Sequence, residues 1–302
     1  MKPLFLLGPT ASGKHDASIL VAKAVGAEII SIDSMKVYRE MDVGTAKPDA
    51  ETMAAVPHHL ISICDPSEIY SAGRFVTDAR AAQADIEGRG KRAFFVGGTS
   101  LYYKTYVYGM FQGPSADPAL REELNALGPA TLHEELKRVD PVSAERIHPN
   151  DLKRLIRAVE VFRLTETPIS AMQTHFDAPS IDGVTICLRR DKEDLEKRAK
   201  DRVRRMVSLG LLDEVKRLHA NPAWSKEGRA AIGYREIIAV IEKRNDLRSA
   251  EREIVRNTMQ FAKRQLQWFR SFNEAHFIDC GPRDSASEIA SRILEIAKKS
   301  GG

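Results

Sequence analysis

Cysteine is scarce in this chain. Cys64, Cys187 and Cys280 are the only three in 302 residues, with no C-x-x-C pair and no companion histidine motif. An odd number at such spacing argues against a disulfide framework and a zinc site, and points to reduced packing cysteines in a cytoplasmic protein. Long apolar runs are missing too, and no basic leader with an apolar core opens the sequence. Neither a membrane span nor a secretory signal is therefore expected. Charge is not strongly one-sided. Formal net charge is only +4, so composition alone announces no nucleic-acid partner. Residues 1 to 113 carry 12 basic and 12 acidic side chains, which leaves the whole surplus, and any basic surface, to the later chain. At 43% hydrophobic and 29% charged, the remainder reads as a globular protein large enough for a full core plus a second unit.

The most informative stretch is the first fifteen residues. Leu4-Phe5-Leu6-Leu7 predicts a short buried strand, and Gly8-Pro9-Thr10-Ala11-Ser12-Gly13-Lys14 matches G-x-x-x-x-G-K. In such a loop the glycines let backbone N–H groups turn inward around an anion, the following helix adds its positive end, and a lysine reaches the terminal phosphates. A glycine turn between strand and helix would produce part of the same pattern; the helix-like run Ala17 to Val25 supports the phosphate reading. The eighth position of the motif calls for Ser or Thr, whose hydroxyl ligates Mg²⁺. Here it is His15, a poor ligand for so hard a cation.

Further strands are predicted at Glu28–Ile32, His58–Ile63, Ala93–Val96, Val184–Leu188 and His276–Asp279, alternating with helical patterns, notably Phe75–Gly88, Arg189–His219 and Glu251–Phe272. This alternation predicts an α/β fold, a parallel sheet flanked by helices. Asp33 and Ser34 follow the second strand, and Gly97-Gly98-Thr99-Ser100 follows Ala93–Val96. In a parallel sheet such tips share the ligand crevice with the phosphate loop. Asp33 is thus a candidate for chemistry, or a simple cap for the segment beginning at Met35. The break at 113–118 and the polar helical run to about 178 predict an inserted helical domain (113–178) in a core formed by 1–112 and 179–302. Lys153, Arg154 and Arg157 can share one helix face there, either solvated or reading phosphates. In the last long helix Ile254, Thr258, Phe261, Gln265, Trp268 and Phe272 form one stripe, beside Arg252, Arg256, Lys263, Arg264 and Arg270. That is a packing helix with a solvated basic face, or a surface for nucleic-acid backbone.

In order along the chain stand the phosphate loop, Asp33-Ser34-Met35-Lys36-Val37-Tyr38, Gly44-Thr45-Ala46-Lys47-Pro48, His58-His59-Leu60-Ile61, Gly97-Gly98-Thr99-Ser100-Leu101-Tyr102, Ile232-Gly233-Tyr234-Arg235 and Lys263-Arg264-Gln265-Leu266-Gln267-Trp268-Phe269-Arg270. This set resembles the bacterial tRNA dimethylallyltransferases, the adenosine-37 isopentenyltransferases, from Leu6 to about Phe272. The resemblance implies a P-loop NTPase-like fold and transfer of a dimethylallyl group from dimethylallyl diphosphate to N6 of adenosine 37 in the tRNA anticodon loop. It implies a diphosphate cradle of Gly8, Pro9, Thr10, Ala11, Ser12, Gly13, Lys14 and His15, and catalytic roles for Lys14, Asp33, Thr99 and Arg235, the last holding diphosphate. Asp33, Ser34, Met35, Lys36, Thr99, Arg121, Lys153, Arg154, Leu155, Ile156 and Arg157 are implied to contact tRNA. Mg²⁺ is the implied cofactor, with His15 standing where the family has Thr. An imidazolium would supply some of the metal's charge, or diphosphate, water and a carboxylate such as Asp33 would hold the ion. A monomer is expected. The competing readings are a small-molecule P-loop kinase, a tRNA-binding paralogue slowed by His15, and prenylation of free adenine nucleotides, against which the helical insertion argues.

Overall fold

The computed structural model describes residues 1–111, 113–173 and 178–301. In chain order the elements are β1 Leu4–Leu7, α1 Lys14–Val25, β2 Ala27–Ile32, α2 Ala50–Ala55, β3 His58–His59, α3 Ala72–Gly88, β4 Arg92–Gly97, α4 Ser100–Val107, α5 Pro118–Val139, α6 Pro141–Arg146, α7 Leu152–Thr165 and α8 Ile169–Met172. After these come β5 Val184–Arg190, α9 Lys192–Ser208, α10 Leu211–His219, α11 Lys226–Arg229, α12 Tyr234–Ile241, α13 Leu247–Phe269, β6 His276–Cys280 and α14 Ala286–Lys299. Two compact units result. One comprises 1–105 and 181–302, of which Gly302 is outside the described residues; the other is 106–180. The sequence placed the divisions at 112/113 and 178/179. Gln112 itself lies outside the described residues, as do 174–177 of the predicted helical run. Both the amide and the hydroxyl of Ser180 donate to the Val107 carbonyl (2.7 Å each), which ties the two ends of the second unit together.

The first unit holds a six-stranded parallel sheet in the order β3-β2-β4-β1-β5-β6. Both faces are covered, so the central strands read as continuous apolar runs rather than alternating ones. On one face Leu4, Leu6, Phe94, Ile186 and Leu188 pack with Ala17 and Val21 of α1 and with Ile289, Ile293 and Ala297 of α14. The other face is aromatic: Phe5 stacks on Phe95 at 4.7 Å, Tyr103 meets Phe5 edge-on, and Phe272 lies 4.7 Å from Tyr103. All three cysteines are free and buried. Among the described residues no helix is long and apolar enough to cross a membrane.

Three elements differ from expectation. The strand predicted at His58–Ile63 stops at His59, because Leu60 (φ 61°) and Ser62 (φ 55°) turn into the left-handed region. The charged run Arg189–His219 is not one helix. Arg189 and Arg190 finish β5, and Gly210 (φ 95°) divides the helical remainder into α9 and α10. In α13 the buried stripe is Ala250, Ile254, Thr258, Ala262, Gln265 and Phe269, which leaves Phe261 and Trp268 partly exposed.

The second unit packs Leu124, Leu132 and Leu136 of α5 against Leu155, Ala158 and Val159 of α7. Asp117 accepts from the Leu120 amide and caps α5, and Asp151 does the same for α7 through the Arg154 amide.

Candidate active site

The connection from β1 runs past β4 to β2, whereas the chain leaving β4 returns beyond β1 at β5. The carboxyl ends of β1 and β4 therefore flank a switch in winding direction, where open α/β sheets bind ligands. The phosphate loop fills that place. Gly13 caps α1 in the left-handed region (φ 85°), and the Ser12 amide donates to the Pro9 carbonyl at 3.1 Å. Lys14 donates to the same carbonyl at 3.1 Å. A side chain on Gly8 would strike the Ser12 hydroxyl at 2.8 Å, and that buried hydroxyl has no hydrogen-bond partner among the described residues.

Two side chains far away in sequence brace the loop. Gln265 of α13 accepts from the Thr10 amide (3.0 Å) and donates to the Gly98 carbonyl (2.7 Å), joining the phosphate loop to the turn after β4. The approach is so close that a Cβ on Gly98 would lie 2.4 Å from the Gln265 amide nitrogen. Arg190, at the end of β5, donates to the Ser12 carbonyl at 2.7 Å and is itself held by Asp194 and the Gly281 carbonyl. The sequence showed neither role, since both depend on contacts across more than 150 residues.

Beside the loop, the tips of β2 and β4 bring Asp33 and Thr99 together. The Gly98 and Thr99 amides donate to the Ile32 carbonyl, and the Thr99 hydroxyl accepts from the Ser34 amide at 3.1 Å. Asp33 Oδ1 accepts from the amides of Met35 (2.9 Å) and Lys36 (3.2 Å). The cap considered from the sequence is thus present. It occupies one carboxylate oxygen and fixes the direction of the other.

A cavity of about 990 Å³ opens over these tips, lined among others by Thr10 to His15, Asp33, Lys36, Thr45, Arg198, Arg202 and Arg205. Arg198, Arg202 and Arg205 stand at i, i+4 and i+7 on α9, a spacing that puts them on one face and was the available sequence signal for them. Burial first, then the charges of Lys36 and Arg202, push Lys14 down to about 7, against the opposing pull of Asp33. Lys36 and Arg202 are lowered in their turn, chiefly by burial. Lys14, Lys36 and Arg202 stand near Asp33 and have no carboxylate salt bridge among the described residues, an arrangement suited to an anion. His15 adds nothing to it. Burial and then Lys36 hold its imidazole near 4, so His15 by itself is neutral at physiological pH.

The wall formed by residues 41–47 hangs on a single carboxylate. Glu214 of α10 accepts from the amides of Asp42 (3.0 Å), Val43 (2.7 Å) and Gly44 (3.0 Å) and from the Tyr234 hydroxyl (2.7 Å). A Cβ on Gly44 would lie 2.5 Å from the Tyr234 ring, which explains why Gly44-Thr45 and Gly233-Tyr234 belong to one device. Arg202 donates to the Thr45 carbonyl at 3.2 Å and joins this wall to the cation cluster. Arg235 goes elsewhere. It is not among the cavity-lining residues, and its guanidinium donates to Glu236 at 2.6 Å.

A family model described as IPP transferase matches residues 36–272, and one described as isopentenyl transferase matches residues 1–62. The chain belongs to the IPP transferase family. It is 42% identical to tRNA dimethylallyltransferase 1 of Citrifermentans bemidjiense over 92% of both chains, and 45% identical to the tRNA dimethylallyltransferase of Thermotoga petrophila over 91% of both. Its structure is similar to that of the tRNA isopentenylpyrophosphate transferase of Bacillus halodurans (TM-score 0.74, 37% identity, 99% and 98% of the two chains). It also resembles a eukaryotic dimethylallyltransferase described as acting on tRNA (TM-score 0.77, 27% identity, 92% of this chain and 74% of that one).

Several residues that the family pattern suggested as tRNA contacts are otherwise engaged. Arg121 and Arg157 both bind the fully buried Glu160, at 2.7 to 2.9 Å, and Arg157 also donates to the Pro114 carbonyl. Leu155 is fully buried in the core of the second unit and presents no side chain to a ligand, and Ile156 packs partly buried against the same core. On α7 the cations left outward are Lys153, which is exposed, and Arg154, which pairs with Asp151 at 3.0 Å. In the first unit, Lys36 lines the cavity, while neither Ser34 nor Met35 is among its lining residues.

Proposed function

We propose that the chain transfers the dimethylallyl group of dimethylallyl diphosphate to N6 of adenosine 37 in the tRNA anticodon loop, releasing diphosphate. The observation that carries this reading is the convergence in one cavity of the phosphate loop, Asp33 at the neighbouring strand tip and the cations Lys14, Lys36 and Arg202, none of which has a carboxylate salt bridge among the described residues. The diphosphate occupies the loop, where inward N–H groups and Lys14, Lys36 and Arg202 stabilise the charge that builds as the allylic C1–O bond breaks. N6 of adenine is a weak nucleophile because its lone pair is delocalised into the ring. Asp33, anchored through Oδ1, accepts an N6 hydrogen at Oδ2 as the C1–N6 bond forms, and so orients the amine and takes its proton. Thr99 accepts from the Ser34 amide and so steadies the turn that presents Asp33. The target base must leave its stack to enter, which suits a nucleotide in a hairpin loop. In the second unit, the exposed Lys153 and Arg154 bind phosphates of the tRNA. The protein acts in the cytoplasm as a monomer.

The experiment is incubation with dimethylallyl diphosphate labelled in the allyl group and an anticodon stem-loop carrying adenosine 37. Label is expected in that RNA and not in one carrying guanosine 37. Absence of label from both refutes the reading.

A further inference from the structure

Family resemblance implied Mg²⁺, and the residues around the phosphate loop do not suit it. Mg²⁺ takes hard oxygen ligands in near-octahedral geometry. The position whose hydroxyl would supply one is the imidazole of His15, packed 6.4 Å from the ring of His58. Among the described residues no three His, Cys, Asp or Glu side chains converge to hold a metal. Asp33, the carboxylate at the strand tips, gives Oδ1 to two backbone amides. Around it stand three cations with no carboxylate salt bridge among the described residues. Lys14 donates to the Pro9 carbonyl and Arg202 to the Thr45 carbonyl, and all three residues line the cavity.

We propose that this chain neutralises the diphosphate with Lys14, Lys36 and Arg202 in place of a protein-ligated dication, so that diphosphate binding does not require Mg²⁺. The inference rests on the diphosphate reading of the cavity given above. A dication placed among these groups would face the charges of Lys36 and Arg202 and would find at the strand tips a single free carboxylate oxygen, Asp33 Oδ2, which the reading above commits to N6 of adenine. A diphosphate meets three cationic residues that line one cavity and have no carboxylate salt bridge among the described residues, and charge-assisted hydrogen bonds of this kind are the strong ones.

The test is calorimetric binding of inorganic pyrophosphate to the full-length protein in EDTA and in MgCl₂, corrected for the affinity of Mg²⁺ for pyrophosphate itself. The two affinities are expected to agree within about threefold, and Lys36→Met and Arg202→Met should each weaken metal-free binding by about tenfold or more. Lys36→Gln, which keeps a hydrogen-bond donor and loses the charge, should weaken it as well, with thermal midpoints checking that the variants fold. Pyrophosphate binding that disappears in EDTA and returns with Mg²⁺, or Lys36 and Arg202 variants with wild-type metal-free affinity, would overturn the proposal. RNA labelling measured in parallel separates the two readings. Metal-free pyrophosphate binding without labelling refutes the transferase assignment alone, and labelling with strictly Mg²⁺-dependent pyrophosphate binding refutes this inference alone.

Discussion

Lys14 is placed to bind a proton when diphosphate arrives, and the amount can be worked out. With its pKa held at about 7, the empty site carries roughly half a proton on Lys14 at pH 7 and roughly a tenth at pH 8. A diphosphate beside the ammonium opposes the burial and the repulsion from Lys36 and Arg202 that cause the depression, so the bound state is protonated throughout this range. Binding should therefore take up about half a proton at pH 7 and about nine-tenths at pH 8, and affinity should fall close to tenfold per pH unit above pH 8 until the bound lysine itself titrates. The sign is definite: a group protonated in the complex and deprotonated in the free site favours binding at lower pH. Calorimetry of pyrophosphate binding in two buffers of different ionisation enthalpy measures the uptake directly. Pyrophosphate has protons of its own, so the control is Lys14→Arg, whose guanidinium stays charged throughout. The difference between wild type and variant isolates Lys14. Equal uptake at pH 8 would refute the reasoning, because it would mean that Lys14 is already protonated in the empty site.

Three other outcomes are expected from the geometry. Asp33→Asn keeps an oxygen for the Met35 and Lys36 amides but loses the base; single-turnover transfer should slow by about 10² or more with RNA affinity nearly unchanged, whereas lost affinity at a normal rate would contradict the role. Lys153→Ala and Arg154→Ala should each reduce the slope of log affinity for tRNA against log salt by about 1, because each removes one phosphate contact; Arg121→Ala, whose side chain serves Glu160, should lower the thermal midpoint and leave the slope alone. Glu28 is buried, and the guanidinium of Arg89, ahead of Lys91 and His59, holds its carboxyl far below the usual range against the cost of burial. A depressed carboxyl contributes stability that is present above its unfolded value of 4.5 and is lost as pH falls. Glu28→Gln should cost about 2 kcal/mol at pH 7, less than a fully buried pair because Arg89 and Lys91 are half-exposed. It should also flatten the acid limb of urea unfolding; an unchanged limb would count against this assignment.

Legibility in the sequence obeys a physical division. Leu4–Leu7, the loop after it and the tips at Asp33 and Thr99 were legible because each is a local pattern: an apolar run, a glycine spacing, a polar residue ending a strand. The cradle's braces were not. Gln265, Arg190 and Glu214 are ordinary helix or strand-end residues whose meaning appears only when distant backbone comes within hydrogen-bond reach. The α13 stripe failed at Phe261 and Trp268 for a related reason. Residue type and the 3.6 period allow either 261 or 262, and 268 or 269, to face inward, and tertiary packing chose Ala262 and Phe269. Arg235 has the right type and neighbourhood in sequence, yet the helix it occupies directs it to Glu236.

The brace supplied by Gln265 bears on how the protein is made. Translation delivers the loop at Thr10 first and the amide that holds it 255 residues later. On the ribosome, the nascent chain thus carries an incomplete anion site through most of its synthesis. Release of a chain truncated before α13 would leave the loop without that hydrogen bond and Gly98 without its neighbour. Competence for substrate is in this sense conferred late in the chain, which makes pyrophosphate binding a reporter of synthesis through α13.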